Sequence, residues 1–135
     1  MATAKPSELE LQVLSVLWEI GPATVRQLRA AMPDGKQRAY TTVLSVVQVM
    51  EKKGLLVHDR QGLAHVYRPA VKRETVLRPI LRDLTRNVFG GSAARVMQFL
   101  LAGSQVSREE LADIRKLLAN MDGPAGGGSA KGGRS

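Results

Sequence analysis

A predicted helix near the middle of the chain has an unusual outer face. Its sequence, residues 39–56, is AYTTVLSVVQVMEKKGLL. The apolar stripe that would face inward is Val43, Val46, Val47 and Met50. The opposite face would then hold short hydroxyl, amide and methyl-bearing side chains, where a surface helix usually has long charged ones. These residues are Thr41, Leu44, Ser45 and Gln48, followed by Lys52.

Such side chains suit the major groove of DNA. Gln pairs with adenine through two hydrogen bonds, Ser and Thr reach bases or phosphates, and methyl groups contact thymine. Lys and Arg around the helix would hold phosphates, which position a protein without reading sequence. The predicted DNA contacts are Arg38, Thr41, Thr42, Leu44, Ser45, Gln48, Lys52, Lys53, Arg60 and Arg68. Two other interpretations stay open: a solvated helix rich in Ser and Thr, or a module for protein–protein interaction.

The overall charge agrees with a polyanionic partner. The chain has 135 residues, with 20 Lys and Arg against 12 Asp and Glu, a net charge of +8. A protein so basic is a candidate for nucleic acid or an acidic membrane surface. It has no cysteine, which excludes disulfides, thiolate chemistry and cysteine-bound metals. No signal peptide or membrane span is visible, so we expect a soluble, cytoplasmic protein.

Two helices are predicted before the helix of residues 39–56, which is therefore the third. Ser7 to Glu10 is an S-x-x-E capping box, which places a helix start near Glu8. The residues that this helix should bury are Leu9, Val13, Val16, Leu17 and Ile20. Thr24 caps the second helix, which should bury Val25, Leu28 and Met32. Gly54 is the predicted end of the third helix.

The spacing of the apolar residues changes after the third helix. Two β-prone runs, Leu55–Asp59 and Leu63–Arg68, are joined through a Gly-containing turn, which is typical of a hairpin. Three helices and a two-stranded β-wing form a winged helix-turn-helix. The prediction is therefore a mainly α protein with a winged-helix DNA-binding domain at residues 1–70.

Residues 71–122 are predicted to be a helical dimerisation region. Pro79 should kink or break its first helix near Arg78, and a second S-x-x-E box at Ser107 starts its last one. About 50 residues bury too little surface alone, so a second copy of the chain is expected to cover them. The predicted dimer contacts are Val88, Phe89, Val96, Phe99, Leu100, Ile114 and Leu117. Residues 123–135 should form a disordered, Gly-rich tail.

Three stretches of this chain resemble the penicillinase repressor family. They are SELELQVLSVLWEIGPATVRQL, AYTTVLSVVQVMEKKGLL and HVYRP, and the likeness continues through VFGGSAARVMQFLLAGSQVSREELADIRKLL. The resemblance covers nearly the whole chain except the tail. It implies a homodimeric repressor that binds a pseudo-palindromic DNA operator and blocks transcription until a signal removes it.

The chain also departs from that family. Val49 stands where members often have an arginine, so one polar contact is expected to be missing. The copper-responsive branch has a cysteine-rich metal motif, which this chain lacks. In the β-lactam-responsive branch a membrane sensor protease cuts before a phenylalanine that matches Phe99. Here the bond is Gln98–Phe99, where familiar members have Asn-Phe, which makes it a candidate cleavage site.

Other chemistry finds little support. His58 and His65 could lie opposite each other on the hairpin, but a metal needs further ligands and none converge in the sequence, so no metal or cofactor is predicted. Trp18 is predicted to be a core residue of the first helix. The chain has no G-x-S-x-G, P-loop or H-E-x-x-H motif, so no enzymatic activity is expected.

Overall fold

The structure, a computed structural model, describes residues 5–103 and 106–122, and the predicted tail lies outside them. The described residues form six helices and one two-stranded antiparallel sheet. The elements are α1 (Glu8–Ile20), α2 (Val25–Ala30), α3 (Tyr40–Lys52), β1 (Leu56–Gln61), β2 (Ala64–Pro69), α4 (Arg73–Val88), α5 (Ala93–Gly103) and α6 (Arg108–Asp122). The predicted winged helix-turn-helix, followed by helices, is confirmed.

Local capping rules account for where the first helices begin. The Ser7 hydroxyl accepts a hydrogen bond from the Glu10 backbone amide at 3.2 Å. The Glu10 carboxylate accepts one from the Ser7 backbone amide at 2.9 Å. Thr24 and Gln27 form the same reciprocal pair at α2. Each box satisfies backbone N–H groups that have no partner within the helix. Both predicted helix starts are confirmed.

The end of α3 places the sheet beside it. Gly54 has φ +83°, in the left-handed region that a residue with a side chain rarely adopts. The amide of Leu55 donates to the Met50 carbonyl at 2.9 Å and closes the helix. The chain can then turn directly into β1, as the predicted stop at Gly54 required.

The wing is a tight hairpin with an additional short pairing. Gln61 pairs with Ala64, so only Gly62 and Leu63 form the turn, and Gly62 has φ +63°. Ala23 and Tyr67 exchange two backbone hydrogen bonds of 2.9 and 2.8 Å. The segment before α2 is thereby joined to β2, an attachment that the sequence analysis missed.

The core lies among α1, α2, α3 and the wing. Its buried apolar residues are Val13, Leu14, Val16, Leu17, Ala23, Val25, Leu28, Met32, Val43, Val47, Met50, Leu55, Leu56 and Tyr67. The prediction for Ile20, the last residue of α1, was wrong: its side chain is 55 % exposed, although Leu17 in the same turn is buried. Leu14 is fully buried instead. Trp18 packs half-buried at the core edge, and its indole N–H donates to the Val71 carbonyl at 3.1 Å.

The helices after the wing differ from the first three in having no buried residue among those that the structure describes. A kink or a break was predicted near Arg78. α4 continues through Pro79, so the break is wrong; the proline removes one amide donor, and the helix persists on both sides. At the start of α6 the Ser107 hydroxyl accepts a hydrogen bond from the Glu110 backbone amide at 3.0 Å.

The chain divides into two compact units between Asp83 and Leu84, within α4. This division lies after the predicted domain boundary at residue 70. In the second unit the rings of Phe89 and Phe99 meet edge to face, with centroids 5.5 Å apart. Over the described residues, no helix is long and apolar enough to span a membrane.

Candidate nucleic-acid interface

The outer face of α3 is exposed and lacks long acidic side chains. Its exposed residues are Thr41, Thr42, Ser45, Gln48, Val49 and Lys52. Of the predicted apolar stripe, Val43, Val47 and Met50 are buried on the opposite side, and Val46 is half-buried against the core. Within the described residues, the side chains of Ser45, Gln48 and Lys52 form no hydrogen bond or ion pair with the rest of the protein. They are available to an external partner.

Leu44 lies at the edge of this face and not at its centre. It is half-buried and packs against the core. It also lines a cleft of about 530 Å³ between α2, α3 and the wing. The other residues of the cleft are Thr24, Val25, Arg26, Tyr40, Leu63, Ala64, His65 and Tyr67. The exposed face of α3 thus extends on the side of Thr42 and Val49, away from the cleft.

Lys53 was predicted to bind phosphate, but its side chain lies away from the outer face of α3. Its ammonium donates to both carboxylate oxygens of Glu10, at 3.0 and 2.9 Å. Glu10 is only 6 % exposed, so this pair joins the start of α1 to the end of α3 inside the fold. Burial alone would raise the pKa of Glu10, but hydrogen bonds from Lys53 and Ser7 outweigh it and the pKa is lowered.

Replacing Lys53 with methionine is expected to reduce the free energy of unfolding by about 2–3 kcal/mol, because Glu10 would stay buried without its partner. The folded pKa of Glu10 lies below its ordinary value of 4.5, so the pair stabilises the fold above that value. This stability is lost as the pH falls through the folded pKa, and the loss should be smaller in Lys53→Met.

Urea unfolding at pH 7 and at pH 4 measures both effects. Lys52→Met is the matched control, since Lys52 is exposed and its replacement should change stability by less than about 0.5 kcal/mol. Equal stabilities for the two variants at pH 7 would show that the Glu10 pair contributes nothing.

Arg38 is held by its own loop. Its guanidinium donates to both oxygens of Asp34, at 3.0 and 2.7 Å, and its carbonyl accepts from Arg29 at 2.6 Å. Hydrogen bonds from Arg38 and from the Lys36 amide hold the pKa of Asp34 well below its usual range. The bidentate pair fixes the loop that leads into α3. Arg38 therefore orients the helix start, in addition to any phosphate contact that it makes.

The two predicted wing cations differ. Arg60 is exposed and pairs in register with His65, whereas the Arg68 guanidinium lies 3.1 Å from the exposed Asp59 carboxylate. An exposed pair of this kind is weak and can exchange for a phosphate. Arg60 is thus the more accessible of the two predicted wing contacts.

The wing histidines stack on each other. His58 pairs in register with Tyr67, so the predicted position opposite His65 was wrong; the two imidazoles are diagonal, with centroids 4.1 Å apart. His58 Nδ1 lies 2.6 Å from a Glu51 carboxylate oxygen, which joins α3 to β1. The described residues include no group of three or more side chains placed to hold a metal.

Basic residues before α3 were missed by the sequence analysis. Arg26, Arg29 and Lys36 line a cavity of about 350 Å³ together with Arg38. Helical spacing does not reveal this group, because it is the loop after Pro33 that brings these residues together. A count of Lys and Arg on both sides of the predicted turn would have pointed to them.

This combination of a three-helix core, a hairpin wing and an exposed third helix defines a winged helix-turn-helix protein. The penicillinase repressor family model matches residues 6–120. A transcriptional regulator BlaI of Mycobacterium tuberculosis is 30 % identical over 118 residues, which are 85 % of this chain and 83 % of that protein. The chain belongs to the penicillinase repressor family, as its resemblance predicted.

Two further comparisons are more distant. The penicillinase repressor of Bacillus licheniformis is 20 % identical over 112 residues, 83 % of this chain and 88 % of that protein. A solved structure of the B. licheniformis BlaI monomeric form, in complex with the blaP half-operator, is 22 % identical. Its TM-score is 0.46, over 54 % of this chain and 89 % of that one.

Proposed function

We propose that this protein is a cytoplasmic transcriptional repressor that binds a pseudo-palindromic DNA operator as a homodimer, with α3 in the major groove. The observation that carries the proposal is the outer face of α3. Its exposed hydroxyl and amide groups match the donors and acceptors of base edges, and their short side chains let the helix backbone approach the bases. Family membership and the relatives named as regulator and repressor support the same function.

Charges around this face suit the DNA backbone. Lys52 lies exposed at the end of α3, and Arg60 is exposed on the wing. Arg26 and Lys36 lie exposed before the helix. Phosphate contacts from these positions would hold α3 in the groove while its own side chains read bases. The net charge of +8 adds a general attraction to DNA.

The homodimer is inferred from apolar surface in the second unit. Val88, Phe99, Leu100 and Leu117 are all more than half exposed, and the predicted contacts Phe89, Val96 and Ile114 are half-buried. Exposed residues that the sequence analysis left out are Leu84, Met97, Leu101, Leu118 and Met121. Amphipathic helices of this length need a packed apolar face, and a second copy of the chain would supply it.

Release of the repressor by a membrane sensor protease is part of the proposal. The candidate bond, Gln98–Phe99, lies in the middle of α5, and the Phe99 side chain is 72 % exposed. A protease binds an extended segment, so α5 must open locally before it can be cut. Dimer formation that covers Phe99 would slow this opening, and cleavage would in turn remove part of the dimer surface.

A selection from a pool of random duplexes tests the proposed function. The protein should enrich an inverted repeat whose half-site centres are about one helical turn, or a multiple of it, apart. Binding to the enriched duplex should weaken steeply with salt, because phosphate contacts release counterions. A pool that shows no preferred sequence, with little salt-dependent binding, would contradict the proposal and favour a protein partner for α3.

A further inference from the structure

Val49 is an apolar side chain on a face that is otherwise polar. It is 46 % exposed on α3, although the buried stripe of that helix is complete without it. A β-branched residue loses side-chain freedom in a helix, so an exposed valine there does not favour helix formation. Neither packing nor helix propensity therefore explains its presence.

The position of Val49 places it among the groups that face the groove. It lies four residues after Ser45 and seven after Thr42, so these three side chains share one side of the helix. All three are exposed. Leu44, the apolar residue of α3 that was predicted to face DNA, is half-buried against the core and lies toward the wing. Val49 is thus the more exposed apolar side chain on the groove side of α3.

The chemistry of valine limits what it can recognise. Its side chain has no hydrogen-bond donor or acceptor, so it cannot distinguish the nitrogen and oxygen pattern of a base edge. The major groove presents one apolar group, the C5-methyl of thymine. Excluding water between this methyl and the valine methyls favours thymine over any pyrimidine that lacks the methyl group.

We infer that Val49 is a specificity-determining residue, which selects a thymine in each half-site through contact with its C5-methyl group. The inference rests on the proposed function. Burial of one methyl group corresponds to roughly a fourfold change in affinity. The contact should therefore refine the choice of operator, while hydrogen bonds from other α3 residues provide most of the discrimination.

Replacement of thymine by uracil tests the inference directly, since it removes only the methyl group and keeps base pairing. Each thymine of the selected operator is replaced in turn, and affinities are measured for the wild type, Val49→Ala and Val49→Thr. The wild type should lose about fourfold at one position in each half-site. Val49→Ala should bind the thymine and uracil duplexes equally there. Val49→Thr, which keeps one methyl group, should show a loss of affinity on uracil that lies between those of the wild type and Val49→Ala.

Ile20→Ala is the matched control, because it also truncates an exposed β-branched residue of a helix, on α1. It should keep the wild-type response to uracil at every position. The inference is overturned, with the proposed function intact, if a specific operator is bound but no thymine-to-uracil effect depends on Val49. A pool without any preferred sequence would overturn both.

Discussion

A chain in which Phe99 and Leu100 are both replaced by aspartate is expected to sediment as a monomer, and to bind the operator at least about a hundredfold more weakly than the wild type. The two side chains are 72 % and 53 % exposed on α5. In a dimer they would be covered, and two buried carboxylates without partners would oppose association strongly. A monomer holds one half-site at a time and loses the benefit of the second.

Asn87→Asp with Asn120→Asp is the control, since it adds the same charge at exposed polar positions of α4 and α6. That variant should remain a dimer. Sedimentation velocity measures the association state, and titration of the operator measures the affinity. If the Phe99 and Leu100 variant stays dimeric with normal affinity, the interface lies on another surface.

The elements of the winged helix were predictable because their signals are local. The Ser7 and Thr24 caps each involve residues three apart, and the Gly54 stop depends on one backbone angle. Helical periodicity likewise identified Val43, Val47 and Met50 as buried. Rules that act within one or two helical turns leave a clear pattern in the sequence.

The contacts of the candidate site were less predictable because they join distant parts of the chain. Glu10 and Lys53 are 43 residues apart, and a capping rule that explains Glu10 gives no sign of its second partner. Periodicity places Leu44 on the outer half of α3, but only the position of the wing shows that it is partly covered. The same packing leaves Val49 exposed.

Gln48 and Lys52 separate base reading from phosphate binding. Gln48→Ala should cost about 1–3 kcal/mol on the selected operator and much less on random duplex, because a base contact depends on sequence. Lys52→Ala should weaken both DNAs alike, since every duplex has phosphates. It should also reduce the slope of log affinity against log salt by about one unit. Both residues are exposed on α3, so neither change should alter the fold.

The most direct test of α3 as the DNA-reading helix is a salt titration of the wild type, Gln48→Ala and Lys52→Ala on both duplexes. Gln48→Ala should reduce the ratio of operator to random affinity at every salt concentration and leave the salt slope unchanged. Lys52→Ala should leave that ratio unchanged and flatten the slope. If Gln48→Ala weakens operator and random duplex equally, α3 does not read the operator, and the proposed mode of binding is wrong.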